Sequence, residues 1–255
     1  RTSVTRTAVP EERRPWSQDW THYKPTLYEI DFSGKGWADP AIGTAGFAPK
    51  WHESDGPVDR RSRHSVDYAV KDGYPLNPLG RTGIALRGVL GRWGPNHAVD
   101  AIVIKWKRDA DRRPVTHPTT GLPVAQFVAI QRKDTGDWAL PGGMIDAGES
   151  VDTALVREFA EEAFGNDVVK AGRLLGAGRE VYAGCVADPR NTDNAWMESV
   201  AKVYELNDDM AAQVVLESGD DAVGAQWMDM SAHLKLYANH RLFVESAARL
   251  LGAHF

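Results

Sequence analysis

The sequence predicts an α/β fold, a mixed sheet layered with helices and preceded by a loop-rich N-terminal part. Three observations predict it. From about Ala98 onward, short Val- and Ile-rich runs bounded by turn residues have the composition of strands. Two segments in the same half repeat apolar residues at helical spacing, and strands interleaved with helices build layered α/β domains. The first hundred residues show neither period and are rich in Trp, Pro and Gly instead. With 255 residues, 42% hydrophobic and 25% charged, the chain has ample core for one large domain or two smaller ones.

In chain order, residues 1–97 read as an irregular subdomain pinned by Trp16, Trp20, Trp37, Trp51 and Trp93, with turns at DGPVD and NPLGRTG. Residues 98–255 read as the layered domain. Its first strands are AVDAIVIKW and PVAQFVAIQR, separated by the polar excursion DADRRPVTHPTTGLP. A strand-like WALP leads into Gly142-Gly143. A helix then starts after Gly148-Glu149-Ser150, with Ser150 as N-cap, Asp152 in the first turn, and Val151, Leu155, Phe159 and Ala163 as its apolar stripe. Further strands follow at EVYAGCVA, WMESVAKVYEL and AVGAQWMDM. The last helix carries Phe243, Ala247, Leu250 and Leu251 and is closed by Gly252.

A net charge of -5 with no block of Lys and Arg excludes a general nucleic-acid binder. An anionic ligand therefore needs a local basic spot or bound cations. The lone Cys185 excludes an intrachain disulfide framework and reads as a small buried thiol. No apolar run approaches the ~20 residues of a membrane span, and the N-terminus lacks a signal-peptide core. The chain begins at Arg1 rather than Met, which reads as processing or excision from a longer protein.

The segment REFAEEAF holds the densest chemistry. Glu158, Glu161 and Glu162 crowd one face away from the apolar stripe, although like charges three or four apart repel. Arg157 lies four residues before Glu161 and can pair with it. Taken alone, the helix reads either as a solvated acidic face or as an all-oxygen cation site. The preceding Gly142-Gly143 turn, which allows close backbone approach, points to the second, a set suited to Mg2+.

These residues fill a longer pattern, G-x5-E-x7-R-E-U-x-E-E, with Gly143, Glu149, Arg157, Glu158, Phe159, Glu161 and Glu162. The pattern resembles the Nudix box. It departs from the family at its end, where Phe164 stands in place of Gly and Gly165 comes one residue late. WADPAI, NPLGRTGIALRGVLGRWGPNHA, DPRNTDNAWMES and LKLYANH are similar to the ADP-ribose pyrophosphatase branch, so the resemblance runs from about Trp20 to the end. Two groups fit, the free mitochondrial pyrophosphatases and the C-terminal Nudix homology domains of melastatin-type TRP channels gated by ADP-ribose. The ending LYANH and GAHF is nearer the second.

The resemblance implies a Nudix α/β/α sandwich with a mixed sheet, and Mg2+-dependent hydrolysis of ADP-ribose to AMP and ribose 5-phosphate, with Mn2+ as a substitute. The implied metal ligands are Glu158, Glu161 and Glu162 with the backbone at Gly143, while Arg157 and Glu149 orient them. A base outside the box is expected from Asp220 or Asp221, or from His97. On the residues alone these read equally as a charged turn and a loop histidine. Asn77, Asp188, Arg190, Leu236 and Asn239 match ligand-binding positions, whereas DPRNTDN alone reads as a polar turn. The implied partners are ADP-ribose and the rest of a tetrameric channel. The implied location is the cytosolic side of a membrane, with the mitochondrial matrix as the alternative.

Overall fold

The structure is a computed structural model and describes residues 4–64, 67–216 and 222–255. The chain divides into two compact units. The first comprises Arg1–His97 and Gly184–Glu198, and the second Ala98–Ala183 and Ser199–Phe255.

The first unit is rich in short pairings. Strand β1 (Thr26–Glu29) lies beside the later β6, and two small ribbons are formed by β2 (Ser54–Asp55) with β3 (Val58–Asp59) and by β4 (Val70–Lys71) with β5 (Tyr74–Pro75). Strand β6 (Ile84–Gly88) runs parallel to β1. Aromatics do pin this unit, but through arginines. The Arg81 guanidinium faces Trp16, Trp20 and Tyr23, that of Arg87 faces Phe32 and Trp93, and that of Arg60 faces Phe47 and Trp51. A flat cation against ring faces can be buried where hydrophobic packing alone would leave gaps. Of the five predicted Trp anchors, Trp93 is buried, while Trp37 is 54% exposed. Cys185 is buried beside Tyr68 and Trp196, and burial pushes its thiol pKa up, as expected for an inert thiol.

The long strands form one seven-stranded mixed sheet. Its members are β7 (Gly94–Trp106), β8 (Ala125–Arg132), β9 (Trp138–Ala139), β10 (Gly142–Met144), β11 (Arg179–Cys185), β12 (Ala195–Glu205) and β13 (Ala222–Asp229). The order is β11-β12-β7-β8-β13, with β10 paired to β7 and β9 to β8. The polar excursion between β7 and β8 is held by isolated bridges from Arg108 to Pro114 and from Thr116 to Pro123.

Helix α1 (Val151–Ala163) starts as its sequence dictates, with the Ser150 hydroxyl accepting from the Thr153 N–H at 3.1 Å. Leu155, Phe159 and Ala163 are fully buried, and Val151 packs half-buried at the same core. That core also takes Val99, Val103, Val128 and Ile130 from the sheet. The departure at Phe164 has a local solution. Phe164 folds into the core against Phe159, with ring centroids 5.6 Å apart, and the chain turns at Gly165, where φ is +61°.

Two features differ from expectation. A second amphipathic helix, α2 (Val168–Leu175), follows at once, capped by Asp167 and burying Ala171, Leu174 and Leu175. Its first residues, Val168 and Val169, are exposed, which blurs the apolar period in the sequence. After the short α3 (Asp208–Ala212), the last helix α4 (His240–Leu251) buries Phe243, Val244, Ala247 and Ala248. Leu250, expected in the stripe, is 47% exposed. Gly252 closes the helix in the left-handed region, as its position predicts. Among the described residues, no helix is long and apolar enough to cross a membrane.

Candidate active site

The site is built where α1 passes strand β10. Gly142 and Gly143 pair with Asp100 and Val99 of β7, which fixes the turn after Pro141 against the middle of the sheet. A Cβ at Gly142 would lie 2.2 Å from the Val99 carbonyl oxygen. One at Gly143 would lie 2.5 Å from the Glu158 carboxylate. Glycine at 142 thus allows the close pairing with β7, and glycine at 143 lets bare backbone approach the acidic face of the helix.

Arg157 organises that face. Its guanidinium donates twice to Glu149, at 2.9 Å each, and its Nη1 donates to Glu158 at 2.7 Å and to Glu161 at 3.2 Å. A further bond reaches the Met144 carbonyl at 3.0 Å. One planar cation therefore ties the loop before the helix to two of its carboxylates. Glu149 is held below the usual carboxylate range by its bond to Arg157. Glu162 is the exception in this group, since it accepts the Gly142 N–H at 2.9 Å. Burial pushes it up to about 7, with the Glu158 charge adding to the effect. Burial also raises Glu158, against the pull of Arg157.

Two carboxylates with raised pKa values, Glu158 buried and Glu162 half-buried, sit beside the half-buried Gly142-Gly143 backbone, and a cation would relieve both desolvation and mutual repulsion. The donors are all oxygen, the set that Mg2+ or Mn2+ prefers. Among the described residues, no three acidic, His or Cys side chains already converge on one point. Glu158 and Glu161 turn onto Arg157 while Glu162 turns onto Gly142, so the ligands fit a hard cation by chemistry and are not preassembled. Gly143→Ala should displace the Glu158 carboxylate and weaken Mn2+ binding at least about tenfold, measured by Mn2+ titration. Unchanged affinity would show that the close approach at Gly143 plays no part.

The other predicted residues fall elsewhere. Asn77 and Asp188 line a cavity of about 580 Å3 in the first unit, together with Arg6, Arg14 and Arg81. Both side chains are buried and engaged. The Asn77 amide donates to the Thr192 carbonyl at 3.0 Å, and its oxygen accepts the Leu79 N–H at 3.0 Å. Asp188 grips Arg190 with bonds of 2.9 and 2.7 Å. His97 is buried in the same unit; among the described residues neither ring nitrogen has a hydrogen-bond partner, and burial lowers its pKa. Leu236 and Asn239 are half-buried on the segment between β13 and α4. Asp220 and Asp221 lie outside the described residues.

Sequence reasoning missed three residues around the site. Asp100 is a buried carboxylate in the apolar run of β7, and this isolation was the signal that could have found it. His240 bonds to it, with Nε2 3.2 Å from Asp100 Oδ1. Arg132 lies over the Tyr237 ring at 4.4 Å, and its charge lowers the Glu162 pKa. His240 ends the LKLYANH stretch noted above, which could have pointed to it, whereas Arg132 belongs to no such pattern.

The Nudix domain model matches residues 120–247, and the model described as NUDT9-like, N-terminal domain matches residues 9–94. The chain is 44% identical over 267 residues to the mitochondrial ADP-ribose pyrophosphatase of Rattus norvegicus, covering 99% of this chain and 76% of that protein. It is 39% identical over 269 residues to the transient receptor potential cation channel subfamily M member-like 2 of Nematostella vectensis. For the mouse subfamily M member 2 channel the identity is 36% over 266 residues. Each of these channel matches covers 99% of this chain and 17% of the channel. The box geometry, the domain match over half the chain and the relatives matched over 99% of this chain agree: the chain belongs to the Nudix hydrolase family.

Proposed function

We propose that the chain hydrolyses the pyrophosphate of ADP-ribose in a Mg2+-dependent reaction, releasing AMP and ribose 5-phosphate. The observation that carries this reading is the complete Arg157, Glu158, Glu161 and Glu162 set, packed against a Gly143 backbone where a side chain would run into the Glu158 carboxylate. The similarity to a mitochondrial ADP-ribose pyrophosphatase over 99% of the chain supports the substrate.

Bound Mg2+ would supply Lewis acidity at a phosphoryl oxygen and acidify a water. Glu158, Glu161 and Glu162 would hold the cation with the backbone at Gly143. Arg157, clamped by Glu149, keeps helix and loop in register. The base that deprotonates the attacking water is assigned to Asp220 or to His97. Burial lowers the pKa of His97, which favours the unprotonated form that a base requires. Asn77, Asp188, Arg190, Leu236 and Asn239 are assigned to the ligand's ribose and base, with Asn77 and Asp188 shaping the cavity wall. Residues 98–255 form the hydrolase domain in this reading, and residues 1–97 its accessory part.

Two settings share this site, the cytosolic end of an ADP-ribose-gated channel and a free mitochondrial enzyme. The channel setting is supported by 39% identity over 99% of the chain, and the free enzyme by 44%. Transmembrane helices upstream in the reading frame would select the channel. The set on α1 predicts turnover in either case, since a sensor that binds without cleaving has no need of it. Competition among ADP-ribose, NADH and nucleotide sugars should give the highest kcat/KM for ADP-ribose. A preference for another substrate at least tenfold greater would overturn the assignment.

A further inference from the structure

The turn that carries Gly142 and Gly143 is fastened by a buried side-chain chain outside the Nudix box. The Ser199 hydroxyl on β12 donates to Asp100 Oδ2. Asp100 Oδ1 lies 3.2 Å from His240 Nε2, and His240 Nδ1 accepts the Leu140 N–H at 2.9 Å. Ser199 and Leu140 are 2% and 1% exposed, and Asp100 and His240 are 6% and 9% exposed.

A backbone N–H can only donate, so the Leu140 bond requires a lone pair on Nδ1 and places the ring proton on Nε2, aimed at Asp100. Asp100 thus accepts from both sides, from the Ser199 hydroxyl at Oδ2 and from His240 Nε2–H at Oδ1, while His240 itself accepts from Leu140. Its output is the Leu140 peptide. From there the Pro141 carbonyl accepts the Ala101 N–H at 2.8 Å, and the Gly142 N–H holds Glu162. Two residues before Leu140, the segment leading into α4 is anchored by the Tyr237 N–H on the Trp138 carbonyl at 2.8 Å. Trp138 to Gly142 is thus tied both to α4 and to the sheet.

We infer that His240, oriented by Asp100 and Ser199, is a positioning residue that sets the Leu140–Gly143 backbone, and through it the Glu162 carboxylate. It acts without touching substrate. The consequence for turnover rests on the hydrolase reading above, while the consequence for the backbone does not. Asn and Gln separate the two halves of the His240 role. In His240→Asn, the side-chain oxygen takes the place of Nδ1 and still accepts from Leu140. In His240→Gln, a nitrogen can reach toward Asp100, but nothing stands at the Nδ1 position.

Two measurements on the full chain test this. In steady-state hydrolysis of ADP-ribose with Mg2+, His240→Gln and His240→Ala should lower kcat about 10–100-fold with KM within about threefold, whereas His240→Asn keeps kcat within about fivefold. In 1H–15N spectra, the Leu140 amide should be strongly protected from exchange in the wild type and His240→Asn, and lose protection in His240→Gln and His240→Ala. His240 Nδ1 should resonate as an unprotonated imidazole nitrogen. A rise in KM at constant kcat would make His240 a substrate contact and overturn the inference. Equal behaviour of the Asn and Gln variants, or a protected Leu140 amide in His240→Ala, would also overturn it. If the amide follows the expected order while the wild type leaves ADP-ribose intact, the hydrolase reading fails and the positioning of the turn stands.

Discussion

Replacing Glu158 and Glu162 together by Gln should lower ADP-ribose hydrolysis at least about a thousandfold, with the fold retained. Both side chains lie on the α1 face turned toward Gly142 and Gly143, while the core is filled by Leu155, Phe159 and Ala163. The amide keeps the shape and removes the charge that a cation needs. Without added divalent cation the variant should be at least as stable as the wild type, because burial opposes the charge on both residues. Thermal unfolding with and without Mg2+ checks this. Wild type should gain stability from the cation and the variant should not. Loss of folding in the variant would assign these carboxylates a structural role instead.

The second large effect is on stability. Asp39 is 4% exposed and accepts from Arg60 at 2.8 and 3.0 Å, from Arg92 at 2.9 Å and from the Trp93 N–H at 2.9 Å. Arg60 is buried as well, and its other carboxylate partner is Asp55. Asp39→Asn should cost about 3–5 kcal/mol, because it leaves a buried guanidinium short of its counter-charge. Denaturant unfolding followed by Trp fluorescence measures this, with a loss below about 1 kcal/mol contradicting it. Burial alone would raise the Asp39 pKa, but its bonds to Arg60, Trp93 and Arg92 hold it below the ordinary carboxylate range. Its contribution is therefore complete above about pH 4 and is lost as pH falls through the lowered native value. The Asn variant should lack that part of the acid transition.

The sheet strands, α1 and the carboxylate cluster were legible because each has a strong local signature. Val-rich runs mark β7 and β8, while Ser150 and the four-residue stripe mark α1. The spacing from Gly143 to Glu162 marks the box. What escaped has no local period. α2 opens with two exposed valines, and α4 turns Val244 rather than Leu250 inward, since its rotation is set by packing. The first unit was legible as aromatic-rich but not as arginine-centred, because Arg81 meets Trp16 and Tyr23 across some sixty residues of chain. The Ser199–Asp100–His240 chain likewise joins three distant segments, and its one sequence trace is a carboxylate inside an apolar strand.

The most direct measurement of the central claim is 31P NMR of ADP-ribose incubated with the purified chain. With Mg2+, the pyrophosphate resonances should be replaced by equal monoester signals of AMP and ribose 5-phosphate, and EDTA should stop the conversion. Pyrophosphate signals that persist as in a control without protein would contradict the account.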